Sequence, residues 1–302
     1  MPADNEMTVA APTGLRAWML AIRVPTLSAA VVPVLVGTAL AMRERHASLP
    51  IFVVTLCAAL LIQIGTNLTN DLFDFQKGAD TGARLGPVRV VQAGLLSQKQ
   101  VAAASVLSFG LAIVLGLYLV TVGGWPILAV GLAAVASGIA YTGGPWPLGY
   151  HGLGDVFVFV FFGVVAVVGT FYLQSGIVTG AALLASLPVA MLVTAILVVN
   201  NLRDIDTDRK AGKRTLAVRF GREATRFQYS ILVLGSYVVA AAMWIGGANS
   251  VWAMLPWLTL PLGLRLVRDV WRGDGAALNL ALRQTAGLHL VFGVLLAASF
   301  VL

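Results

Sequence analysis

Long apolar runs alternate with short polar breaks along nearly the whole chain, and many of the runs are long enough to cross a bilayer as a helix. A spanning helix takes about 20 mostly apolar residues, and the pattern predicts nine such segments, near residues 24–42, 51–70, 101–120, 126–141, 153–173, 181–202, 227–246, 251–266 and 285–301. The fourth and eighth are short. The expectation is therefore an all-α integral membrane protein with about nine transmembrane helices: a short leader over residues 1–15, then one transmembrane unit over residues 16–302.

The polar breaks are unequal, and two of them carry most of the interest. Residues 67–80 (NLTNDLFDFQKGAD) and 200–208 (NNLRDIDTD) hold six of the 13 acidic residues, each where an apolar run ends. Charge at a membrane boundary is costly and commonly functional. On a helix, positions four apart share a face, so Asn67 stacks over Asp71, and Asn200 over Asp204 and then Asp208. Asp74, three on from Asp71, joins the first stripe, whereas Asp206 falls off the second. Two such Asn/Asp stripes suggest two halves of one cation site, in the manner of membrane folds that bind between repeated helices.

Composition agrees with this picture and adds an orientation. Hydrophobic residues make up 59% of the 302 and charged residues 11%, which excludes an ordinary water-soluble domain. With a cytoplasmic N-terminus, only Arg43 and Arg45 of the 20 Lys and Arg fall outside, a strong positive-inside asymmetry. Both acidic stripes then face the cytoplasm. The net charge of +7 is spread over loops with no aromatic-interleaved segment, so it reads as orientation and anionic-lipid contact, not as nucleic-acid binding. Cys57 is single and excludes disulfides. The leader contains Asp4 and Glu6 but no Arg before residue 14, unlike a signal or transit peptide. These features point to a multi-pass protein of a bacterial plasma (inner) membrane.

Carboxylates and Asn carbonyls without nearby His or Cys are hard oxygen donors that favour Mg²⁺ or Ca²⁺. Mg²⁺ commonly shares its shell between one or two carboxylates and substrate phosphate, and Arg or Lys beside the stripes can neutralise the remaining phosphate oxygens. A diphosphate site opening into a hydrocarbon-lined bundle implies a substrate with a charged head and a long apolar tail, a polyprenyl diphosphate. Tyr141 and Tyr150 either stabilise an allylic cation or anchor the interface. Arg23 either reaches the head group or snorkels to the surface. Asp155 either polarises an acceptor or caps a helix, with capping the simpler reading, and His151 is a proton shuttle by residue type alone. A different class, a cation-coupled transporter with paired carboxylates, also uses such residues.

The motifs resemble a known family. NDxxDxxxGxD followed by RxGPxRVxxxGL, then YTGGPxPxGYxGLGD, then NNLRDxxxDxxAGKRTLAVRxG resemble the aspartate-rich motifs of the UbiA superfamily of intramembrane prenyltransferases. They are most similar to the branch that acts on 1,4-dihydroxy-2-naphthoate in menaquinone synthesis. The likeness runs from about residue 23 to 221. It implies a helical bundle around a central cavity open to the cytoplasmic side, Mg²⁺ dependence, and transfer of a polyprenyl chain to the naphthoate ring with loss of its carboxylate. No protein partner is implied. Carried over by position, Asn67, Asp71, Asp74, Asn200, Asp204 and Asp208 match the metal-diphosphate motifs. Lys77, Arg84, Arg89, Arg203 and Lys213 match the basic diphosphate contacts, and Tyr141 the aromatic of the middle loop. Many superfamily members carry a Lys shortly after that Tyr, and residues 142–152 have none. The acceptor side is then left to Tyr150, His151 and Asp155, and other aromatic acceptors remain alternatives.

Overall fold

The computed structural model describes residues 14–78 and 85–302. The expected leader therefore lies almost wholly outside the described residues, as do Asp80 and Arg84. In chain order the helices are α1 (Leu15–Ile22), α2 (Ser28–Arg43), α3 (Leu49–Gln76), α4 (Gln98–Gly123), α5 (Trp125–Ala140), α6 (Gly154–Val158), α7 (Ala166–Ser175), α8 (Gly180–Arg203), α9 (Ile205–Lys210), α10 (Leu216–Ile245), α11 (Leu260–Arg272) and α12 (Leu278–Val301). A π-helical stretch, Phe159–Val165, joins α6 to α7, and a 3-10 turn, Val24–Leu27, leads into α2. The protein is all-helical.

Local sequence signals set several of the ends. Pro falls in the first turn of α3, α5 and α11, where its missing N–H costs nothing. Ser97 and Gln100 form a capping box at α4, and Thr179 and Thr215 cap α8 and α10, satisfying otherwise orphaned N–H groups. Pro33 and Pro188 lie inside α2 and α8, as membrane helices buried among neighbours tolerate.

Seven helical segments among the described residues are long and apolar enough to cross a membrane, and Trp125–Ala140 is a shorter eighth. The segment expected at 251–266 is a 3-10 helix, Val251–Thr259, that passes into α11 with Pro256 and Pro261 near the junction. α11 then carries Arg265, Arg268, Asp269 and Arg272 along one amphipathic face. α3 continues past the expected end at residue 70 to Gln76, so the whole first acid stripe is helical.

α2 and α8 form the buried centre. α12 packs against both, α10 against α8, and α3 against α4. Small residues permit the closest approaches: a Cβ on Gly293 would overlap Val32, and one on Gly163 would overlap Ala190. Packing between close backbones is the main source of helix association in lipid, where burial from water contributes little. The largest cluster, with Phe171, Leu192, Tyr229 and Phe292, lies in this half. A smaller one joins Ala17, Ala21 and Leu68 to Val90, Val91 and Leu96 of the loop after α3, and thereby fixes that loop over the first motif.

Candidate functional site

The first acid stripe is buried and fully helical. Asn67, Asp71 and Asp74 lie on α3. The Asn67 amide nitrogen donates to the Ile22 carbonyl at 2.9 Å and to Thr26 Oγ1 at 3.0 Å. Because a carbonyl can only accept, this fixes the amide orientation and turns Oδ1 away from that turn. The same bonds tie α3 to the turn at Arg23, whose φ of 53° is left-handed, an uncommon conformation for a non-glycine residue. Asp71 Oδ2 accepts the Val91 N–H at 3.2 Å. Arg89 donates to Asp74 Oδ2 at 2.9 Å and lies 3.6 Å from Asp71 Oδ1. Since Val90 and Val91 are seated in the small apolar cluster, packing of the next two residues is what aims Arg89.

The second stripe is broken once and holds its face. α8 ends at Arg203, and Asp204 (φ −96°, ψ 8°) links it to α9. Backbone bonds from Asp204 N–H to Asn200 O and from Asp208 N–H to Asp204 O persist at 3.2 and 2.8 Å. Asn200, Asp204 and Asp208 therefore stay in register, and Asp206 turns out to an exposed pair with Arg222. Arg203, expected among the diphosphate contacts, is only 1% exposed. Its guanidinium grips both oxygens of Asp204 and donates to Asn200 Oδ1 at 2.8 Å and Asn279 Oδ1 at 2.9 Å. The structure thus places it beneath Asp204, with no face turned to a ligand.

Lys213 joins the two stripes. Its Nζ lies 3.3 Å from Asp74 Oδ1 and 3.9 Å from Asp208 Oδ1. Tyr150, expected on the acceptor side, donates its hydroxyl to the same Asp74 oxygen at 2.8 Å. The Tyr150 ring lies 4.7 Å from Lys213 Nζ and 5.1 Å from Lys77 Nζ, within cation–π range. Lys77 donates to the carbonyls of Thr142 at 2.6 Å and Gly144 at 3.2 Å. Partial burial lowers its pKa, opposed by Asp74 and reinforced by Lys213.

The middle loop spreads its candidates. Tyr141, partly buried, lines a cavity of about 520 Å³. Apart from Tyr141 and a few Thr and Ser, the walls are hydrocarbon from α2 to α5 and from α6 to α7, with Phe157, Phe161 and Phe162 from the π-helical side. Burial raises the Tyr141 phenol pKa, with Asp155, Asp74 and Asp208 adding to the rise and Arg23 opposing it. Its hydroxyl stands at the cavity wall beside the start of α6. Gly154 leaves it room: a Cβ there would be 2.8 Å from the Tyr141 oxygen. His151 is held within the loop, Nδ1 2.9 Å from Pro147 O and its ring stacked on Trp146 at 4.2 Å. Asp155 does not cap α6, whose N-cap position is Leu153 and has no side-chain bond. It accepts instead from Asn201 at 3.3 Å and Gln228 at 3.0 Å.

Asn201, Gln228 and Asn279 are the site neighbours that sequence reasoning passed over. Asn201 carried a readable signal, since it follows Asn200 and points about a quarter turn round the helix. Gln228 and Asn279 are single polar residues in apolar helices, and nothing local distinguishes them.

The donor set fits a hard divalent cation. Two half-sites of carboxylate and amide oxygens face each other across Lys213, and a cationic side chain already rests where positive charge is called for. No group of three or more acidic, His or Cys side chains converges on one point among the described residues. Ions held by only one or two carboxylates each, with a polyanionic substrate completing the shell, match that arrangement.

The chain is similar to known proteins over most of its length. Residues 30–300 match the profile of the UbiA prenyltransferase family. The chain is 36% identical to 1,4-dihydroxy-2-naphthoate octaprenyltransferase of Escherichia coli (strain K12), covering 89% of this chain and 90% of that protein. It is 33% identical to the protein of the same name from Bacillus subtilis (strain 168), over 93% and 90%. Among solved structures, a UbiA homolog from Aeropyrum pernix K1 superposes with a TM-score of 0.69 at 16% identity, covering 92% of this chain and 97% of that one. A UbiA homolog from Archaeoglobus fulgidus bound to DMAPP and Mg²⁺ gives 0.66 at 15% identity, over 93% and 99%.

Proposed function

The chain belongs to the UbiA prenyltransferase family and is an aromatic prenyltransferase, and we propose that it transfers a polyprenyl chain from polyprenyl diphosphate to 1,4-dihydroxy-2-naphthoate with decarboxylation, giving demethylmenaquinol, the hydroquinone form of demethylmenaquinone. The observation that carries this reading is the meeting of the two carboxylate half-sites, clothed in Arg89, Lys213 and Tyr150, in a protein whose apolar cavity is lined by Tyr141 of the adjoining middle loop. The acceptor follows the relatives named for it.

Asp71, Asp74, Asp204 and Asp208, with Asn67, would hold Mg²⁺, which when bound neutralises the diphosphate and favours its departure. The rest falls to the chain itself. Arg89, Lys77 and Lys213 lie where they can take diphosphate oxygens as the allylic C–O bond breaks and its electron pair leaves with the diphosphate. Arg203 keeps the Asp204 carboxylate fixed. Hydrocarbon walls hold the isoprenoid tail and exclude water that would quench the allylic cation. Tyr141 offers its ring to that cation and its hydroxyl to the incoming acceptor. A naphthoate ring carbon then bonds to the prenyl carbon, and loss of the carboxylate as carbon dioxide returns its bonding pair to the ring. The positive-inside asymmetry supports placing the N-terminus and this site on the cytoplasmic side of a bacterial inner membrane.

The test is product analysis. Membranes carrying the protein, given defined prenyl diphosphates and the naphthoate, should yield prenylated, decarboxylated product by mass spectrometry only with Mg²⁺ present. Product formation by the Asp71→Ala, Asp204→Ala double variant would defeat the metal assignment, and prenylation of 4-hydroxybenzoate in preference to the naphthoate would defeat the acceptor.

A further inference from the structure

The Lys213 side chain is not placed like a lysine waiting in solvent for an anion. Its side chain is 16% exposed, and its ammonium lies against two carboxylates and one aromatic face. Among the described residues it is the one cationic side chain paired with acids of both motifs. The backbone builds this position deliberately: Gly212, at φ 73°, turns the chain after α9, and the Lys213 N–H closes onto Asp208 O at 2.9 Å. The next N–H, of Arg214, locks onto Tyr150 O at 2.8 Å. A left-handed φ is readily taken only by glycine, so the turn is specified by sequence.

Asp74 already engages both of its oxygens. One of its oxygens takes Arg89 and the other takes both Tyr150 and Lys213. An Mg²⁺ held by Asp74 and Asp208 would compete for that second oxygen. We infer that Lys213 is a positioning residue that acts as an internal counter-ion. Its ammonium holds Asp74 and Asp208 together in the metal-free protein, occupies the place of a divalent cation between them, and is displaced when that cation arrives. Without it, Asp74 and Asp208 would lose the ammonium they share, and the repulsion between the two carboxylates would be less offset. The four-carbon stem lets the displaced charge swing to the substrate side without moving the backbone. This inference rests on the metal-diphosphate reading above, and adds that metal and lysine compete.

The competition has a sign that ordinary damage does not. A variant that merely loosens the site should bind metal more weakly. Removing a competing charge should make binding stronger while the metal-free protein becomes less stable. The experiment measures Mn²⁺ binding by titration, and thermal unfolding with and without Mg²⁺, on the full chain in detergent with no prenyl diphosphate added. Lys213→Met should bind Mn²⁺ roughly tenfold tighter, the scale of one lost contact between like charges. Its metal-free Tm should fall by on the order of 3 °C, and Mg²⁺ should raise that Tm by more than in the parent, because metal binding then contributes more. Lys213→Arg should keep the parent's metal-free Tm. Lys210→Met, an exposed neighbour, should match the parent in both. Equal or weaker Mn²⁺ binding by Lys213→Met, while the parent binds, overturns the counter-ion role alone. A parent that binds Mn²⁺ only after prenyl diphosphate is added, with Lys213→Met no different, likewise overturns the counter-ion role alone, and a parent that binds no Mn²⁺ even then overturns the metal-diphosphate reading and this inference with it.

Discussion

The two acid motifs look alike in sequence and are built differently. The first lies on one unbroken helix, and its Asp74 carboxylate is shared among Arg89, Tyr150 and Lys213, which come from three separate segments. The second crosses a helix break, and its Asp204 is held by a single arginine one residue away. Asp74 is thus a hub that gathers the mouth of the site, whereas Asp204 is a ligand aimed by a private clamp. Corresponding positions in two half-motifs need not do corresponding work, because what a carboxylate does depends on which charges its own loop delivers.

That asymmetry gives the largest expected effect. Asp74→Ala strands three polar partners in a buried place, and breaking a buried ion pair costs about 3–5 kcal/mol. Activity should vanish and the Tm should fall by several degrees. Asp208→Ala, whose side chain is 14% exposed, should cost activity with little loss of stability. Equal losses of Tm in the two variants would break the comparison between hub and outlying ligand.

Arg203 gives the next largest. Since its donors go to Asp204, Asn200 and Asn279, Arg203→Met should lower kcat about 100-fold through a misplaced carboxylate. Arg203→Lys should not rescue it, because an ammonium cannot reproduce the bidentate fork. The diagnostic is the donor KM: a direct diphosphate contact would raise it, and a clamp should leave it within about twofold.

These differences bear on what could be read from the chain. Helix positions were legible because the apolar runs are long, and the stripes were legible because four-residue spacing survives even the break at Asp204. Partners were not. Residue type identified Arg203 as cationic, but only three-dimensional packing reveals that its charge points down into Asn279, 76 residues away. Tyr150 falls to the acceptor side in sequence because the middle loop lacks the Lys of many superfamily members, and only the fold shows that the loop brings its hydroxyl to Asp74. Capping by Asp155 failed because an N-cap is defined by backbone geometry, and α6 starts two residues too early for it, with Leu153 at the N-cap. Removing the Tyr150 hydroxyl while keeping the ring, by Tyr150→Phe, should therefore affect donor turnover by about tenfold, the value of one hydrogen bond to a charged group. An effect on acceptor KM alone would return Tyr150 to the acceptor side.

The smallest expected effect lies at Asp155 and completes the contrast, since this carboxylate has two amide partners and no ion pair among the described residues. Asn201 and Gln228 come from α8 and α10, so the cluster joins those helices to the start of α6. Asp155→Asn keeps the shape but replaces one acceptor oxygen with a donor, and either Asn201 or Gln228 must turn its amide to compensate. Such a flip changes one neutral hydrogen bond, about 1 kcal/mol, and should alter turnover only severalfold. What the variant also removes is the negative charge nearest in effect to the Tyr141 hydroxyl. If that charge orients Tyr141 toward the acceptor, KM for the naphthoate should rise while KM for the prenyl diphosphate stays put. Movement of both constants together would make the Asp155 cluster a structural tie alone, and would leave Tyr141 as the one polar group of the middle loop facing the cavity.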